Sequence, residues 1–182
     1  MRKLVLLTAL AAAVSTACSA AAGPAGREQV VLKVMQGLQV GGPAPVHEIL
    51  DLGLPPIRNI SGHTVRIRSA QIVSPPAAIH VLNVRAYKWR QVGAGYIQDA
   101  FGDLPKQCPR EFKPHPVTAV VTRPRSDSDW MIVIALTISK PGTYHLHKVK
   151  ISYIADGKKG WQYQNFDTKI RAFRGHFPGS GC

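Results

Sequence analysis

The amino-acid sequence predicts an all-β fold, an antiparallel β-sandwich of about seven strands in one domain. Three observations predict it. Past position 28, apolar residues alternate with polar ones or form short unbroken runs, and no twelve-residue stretch carries a helical period. Alternation of that kind is how a half-buried strand reads. Turn-forming pairs divide the runs at short intervals: Gly42-Pro43, Pro55-Pro56, Pro75-Pro76, Pro141-Gly142 and Asp156-Gly157. Finally, residues 130–138, WMIVIALTI, are nearly all apolar, as befits a strand covered on both faces.

The elements follow in order. Residues 30–34 are a short apolar run. Between two breaks lies VHEILDLG, where Glu48 and Asp51 flank a possible short helix and are expected to be solvated. In HTVRIRSAQIV, residues 63–73, Val65 and Ile67 point one way and Arg66 and Arg68 the other. The parity shifts at Ala70 and Ile72, which predicts a bulge. AIHVLNVRAYKW, residues 78–89, reads as the returning strand. Residues 91–116 form a long irregular connection containing Cys108, and loops of that length are usually functional or tethered. After the apolar strand come KPGTYHLHKVKISYI and WQYQNFDTKIRAF. Asp156-Gly157 between them is a strong two-residue hairpin signal.

Pro141-Gly142-Thr143-Tyr144-His145-Leu146 resembles the corner that enters strand F of immunoglobulin-like domains. The resemblance implies that Tyr144 folds its hydroxyl back on the backbone and that Leu146 fills the place antibodies give to Cys. It makes Trp89 the candidate core Trp on strand C. The antibody cysteine pair is absent, so the likeness is to bacterial immunoglobulin-like domains. The whole chain resembles exported immunoglobulin-like β-sandwich lipoproteins of high-GC Gram-positive bacteria, a group that gives no activity to carry over.

The N-terminus points to export. Met1-Arg2-Lys3 is basic, Leu4 to Val14 is an uncharged apolar run, and small residues follow; together they read as a signal peptide over residues 1–17. The run is shorter than the ~20 residues of a membrane-spanning helix. Thr16-Ala17-Cys18-Ser19 resembles the end of a bacterial lipobox, which would make Cys18 a lipidated N-terminus. The alternative is plain secretion after Ala20 or Ala22. Residues 18–27 have the Ala, Gly and Pro content of a flexible tether, leaving 28–182 for the sandwich. Of the three cysteines, Cys108 and Cys182 are expected to pair in an exported protein, with Cys18 left over.

Net charge is +13, from 23 basic and 10 acidic residues. An exported basic protein meets anionic lipid head groups, teichoic acids or polysaccharides rather than nucleic acid. Arg66, Arg68, Lys148, Lys150, Lys158 and Lys159 would make one basic binding face if their strands are neighbours; otherwise they only cover wet strand faces.

The motifs of hydrolases, P-loop proteins and dinucleotide binders are missing. The sequence therefore reads as a non-enzymatic envelope protein, without a cofactor, that binds an anionic polymer or a protein partner and is held to the membrane by lipid. The alternative is an extracytoplasmic copper- or zinc-binding protein. His145 and His147, two apart on a strand, would supply two ligands, while zinc sites usually want three or four.

Overall fold

The computed structural model describes residues 31–34, 42–54, 57–88 and 112–176. Cys18, Cys108, Cys182 and Trp89 lie outside them, as does most of the long connection. The described residues are all-β: β1 (Leu32–Val34), β2 (Pro43–Pro45), β3 (Leu50–Gly53), β4 (Ile57–Asn59), β5 (Val65–Ile72), β6 (Ile79–Lys88), β7 (His115–Pro116), β8 (Val121–Thr122), β9 (Trp130–Ile138), β10 (Gly142–Ala155) and β11 (Lys158–Phe173). One 3-10 turn, Val117–Ala119, precedes β8.

Two sheets face each other. The larger runs β2-β11-β10-β5-β8 and the smaller β3-β9-β6-β7. All these pairings are antiparallel except that of β2 with β11. The chain passes from one sheet to the other between β2 and β3, β3 and β5, β5 and β6, β7 and β8, β8 and β9, and β9 and β10. Val65, Ile67, Leu146, Ile151 and Ile170 of the larger sheet meet Ile132, Ile134, Leu136 and Ile138 of the smaller in one core. Each of these side chains is essentially dry, and full burial of a Val, Leu or Ile contributes about 1.5–3 kcal/mol.

The period-two reading of residues 63–73 is borne out. Val65 and Ile67 are buried and Arg66 and Arg68 exposed. The bulge is there too: Ser152 opposes Ser69 but Tyr153 opposes Ile67, so Arg68 is the extra residue. The Asp156-Gly157 turn joins β10 and β11 with Ala155 opposite Lys158. Both turn residues have positive φ, 50° and 71°, the type I′ geometry whose twist matches the strands. Strand β9 is covered on both faces, as its unbroken apolar run requires. Its second face carries Met131, Val133 and Ala135 in a small outer layer, where Tyr87 meets Phe112 edge to face at 6.0 Å.

The corner behaves as its residues imply. The Tyr144 hydroxyl donates to the Lys140 carbonyl at 2.8 Å, and Leu146 is 1% exposed.

Two readings are corrected. Strand β6 does not return beside β5; it pairs with β9 and β7 in the other sheet, so the run ending at Trp89 is not the partner of the Tyr144 strand. The core neighbour of β10 is β5. The proposed helix near Glu48 is strand β3, and Asp51, at 1% exposed, is not solvated. Its cross-strand neighbour Ala135 lies on the outer face of the smaller sheet, which is covered at that point.

Strands β1 and β4 form a ribbon that closes one end of the core. An inward side chain of β11 fastens its β1 strand. Gln162 Oε1 accepts from the Val31 and Leu32 amides at 3.0 and 2.9 Å, and Nε2 donates to the Leu32 carbonyl at 2.7 Å. The buried amide stands in for a neighbouring peptide and satisfies backbone groups that would otherwise be stranded away from water.

Candidate functional site

The outer face of the larger sheet is built by three neighbouring strands, β5, β10 and β11. Register sets its rows. Lys148 opposes Asn165; Gln71, Lys150 and Tyr163 form the next row; Ser69, Ser152 and Trp161 the next; Arg66, Ile154 and Lys159 the last. Beyond the bulge at His147, His145 opposes Lys169 and Thr143 opposes Arg171. Rows lie about 7 Å apart along a strand and strands about 4.8 Å apart across it, so the cations form a lattice, not a line.

Five of the six cations that the sequence proposed for a basic face come together here: Arg66, Arg68, Lys148, Lys150 and Lys159. Lys158 is exposed at the hairpin tip but one step out of phase, on the inward parity of β11. Among the described residues none of these cations has a carboxylate within ion-pair distance. The acid on the face, Asp167, lies 3.4 Å from His147 Nδ1, and Asp156 at the tip lies 4.0 Å from His63 Nδ1. Among the described residues the cations of the face thus outnumber its acids, and its positive field attracts anions over roughly a Debye length, about 8 Å at physiological salt.

Two aromatic side chains lie among these charges, and sequence reasoning missed both. Trp161 and Tyr163 point outward, their centroids 5.1 Å apart with planes at 63°. Lys150 Nζ rests 4.7 Å from the centre of the Trp161 ring, a cation–π contact. Tyr163 is 43% exposed. Meanwhile Gln162 and Gln164 point into the core. A binary reading of Trp-Gln-Tyr-Gln would send the aromatics in and the amides out. The inversion follows from the rest of β11, where Phe166, Ile170 and Ala172 hold the even positions in the core, and from the bonds of Gln162 to β1. A one-residue slip would reverse every side chain.

His145 and His147 are both exposed, as expected, with rings stacked at 6.0 Å and 12°. Their near-parallel planes do not converge on one point. The other histidines that could have joined them are elsewhere: His63 beside Asp156, His80 opposite Thr137 in the smaller sheet, His115 edge-on to Trp130 at 5.1 Å, and His176 with Nδ1 2.7 Å from Glu48 Oε1. Among the described residues no group of three or more His, Cys, Asp or Glu side chains is placed to hold a metal ion.

No protein-family model matches the chain, and no curated protein matches it in sequence. Among solved structures, the VesB protease of Vibrio cholerae is similar at 10% identity, with a TM-score of 0.38 over 78% of this chain. The match takes in 32% of the protease, so this chain corresponds to about a third of it. A likeness at that score carries no argument about fold or activity.

Proposed function

We propose that this chain is an exported, lipid-anchored, immunoglobulin-like domain that holds an anionic polymer of the cell envelope on the outer face of its larger sheet. The strand order supports the fold assignment. With β3, β5, β6, β9, β10 and β11 in the roles of strands B, C, D, E, F and G, the sheets read G-F-C and B-E-D, the order of that architecture. The Tyr144 corner then falls at the entry to strand F. The basic N-terminus, the apolar run and Cys18 support export and anchoring.

The observation that carries the binding reading is the set of cations on one outward sheet face that have no carboxylate partner among the described residues, while the outer face of the other sheet is covered in part by its own apolar layer. A protein that needed charge only for solubility has no reason to gather it around two aromatic rings that the register of β11 turns outward. The test is binding of soluble polyanions by isothermal titration at low and physiological salt. The native protein binds them, and its affinity falls about tenfold or more as salt screens the face. A variant carrying both Arg66→Glu and Lys150→Glu loses binding with its melting temperature little changed, since both side chains are on the wet side of their strands. Equal affinity in this variant and the native protein sinks the reading.

A further inference from the structure

Resting on that reading of the face, we infer that its ligand is an acidic polysaccharide, recognised through its sugar rings as well as its charge. Three features of the same patch point there. The first is the outward pair Trp161 and Tyr163, held against the hydrophobic pattern of their strand. Such a conflict between local preference and fold is expected where function is served. The second is the ring of short polar side chains around them. Ser69 and Ser152 share a row with Trp161; Gln71 shares one with Tyr163; Asn165 stands two residues further along β11. Hydroxyl and amide groups are both donors and acceptors, which is what sugar hydroxyls require. An acyl chain would use none of them, and a polyphosphate would use only their donors. The third is Lys150, poised over the Trp161 ring.

An acidic sugar satisfies all three at once. Its carboxylate draws the Lys150 ammonium from the indole into a charge-assisted hydrogen bond. The vacated ring then receives the polarised C–H face of the pyranose, attracted to the negative face of the π-system. The serine, glutamine and asparagine side chains take the equatorial hydroxyls. Neighbouring cations at Arg66 and Lys148 receive the acids of adjoining sugars, so affinity grows with chain length. No covalent step is involved.

The experiment compares three probes on the native protein: polygalacturonate, inorganic polyphosphate, and phosphatidylglycerol–phosphatidylcholine vesicles. Polygalacturonate binds and changes the intrinsic tryptophan fluorescence. Trp161→Ala weakens it roughly three- to tenfold, the size of one aromatic contact, and leaves polyphosphate affinity unchanged. Trp161→Phe, which keeps a ring, recovers part of the loss and shows that the Ala effect is not misfolding. Lys150→Ala weakens both polymers. If Trp161→Ala leaves polygalacturonate binding unchanged while Lys150→Ala weakens it, the face reads charge alone and the sugar inference is overturned, though the polyanion reading stands. If vesicles bind as tightly as polygalacturonate and with the same Trp161 dependence, the face is a membrane contact and the sugar inference is equally overturned. If no probe binds, the polyanion reading itself fails.

Discussion

Gly160 faces the ring of Tyr153 across the β10–β11 ladder, and a Cβ there would lie 2.7 Å from two ring carbons. The ring occupies the space that any other residue would need, so an edge of the core is closed by an aromatic lying over a glycine. Burial pushes the Tyr153 hydroxyl above its ordinary range, consistent with a neutral phenol packed inside. Gly160→Ala should therefore overpack the site and destabilise by about 1–3 kcal/mol, read as a fall in the urea midpoint with unchanged slope. A shift within error would mean the ring moves freely. At this scale the sequence was informative about β5, where Arg and hydrophobic residues alternate. It was silent on which way Trp161 to Gln164 face, because a strand's phase is set by all of its members together, and three good core residues outvote two aromatics. It misled at Asp51, whose burial comes from what covers the smaller sheet and not from its own neighbours in the chain.

The element most dependent on one side chain is β1. Gln162 supplies three hydrogen bonds to it, and replacement by Leu keeps the bulk while leaving two amides and a carbonyl without partners. Stranded backbone groups of this kind cost about 1–3 kcal/mol each, less whatever water recovers when β1 lifts away. Gln162→Leu should destabilise by roughly 2–4 kcal/mol and should speed hydrogen exchange at the Leu32 amide far more than at the core amides of β9. Uniform exchange across both strands would show that β1 is not held in this way. Strand existence was legible at this scale wherever period two, an apolar run or Asp156-Gly157 marked it. The sheet that β6 joins was not, since β5 and β6 are adjacent in sequence and only the long-range pairing with β9 sends β6 across. The two-residue strands β7 and β8 have too few positions to show any period.

For the whole molecule, the sandwich and one basic face could be anticipated, the face only on the condition that its strands were neighbours. The export reading adds a prediction of its own: mass spectrometry of the native protein finds an N-terminal Cys18 carrying diacylglycerol, and an intact mass short by the two hydrogens of a Cys108–Cys182 bond. A chain starting at Ala21 or Gly23 would show secretion without an anchor, and two free thiols would remove the bond. The fastening of β1 has a mechanical meaning in such an arrangement. Gln162, which holds the N-terminal segment, is the immediate chain neighbour of Trp161 on the outer face, one side chain turned in and the next turned out. Tension between a membrane anchor and a captured polymer would find a short route from Val31 through Gln162 to Trp161, alongside the core packing of Val31 and Leu32 and their ladder to β4. Under a strong pull the three bonds of Gln162 would share the load with the β1–β4 ladder, so the N-terminal segment would be tied to the strand that presents Trp161.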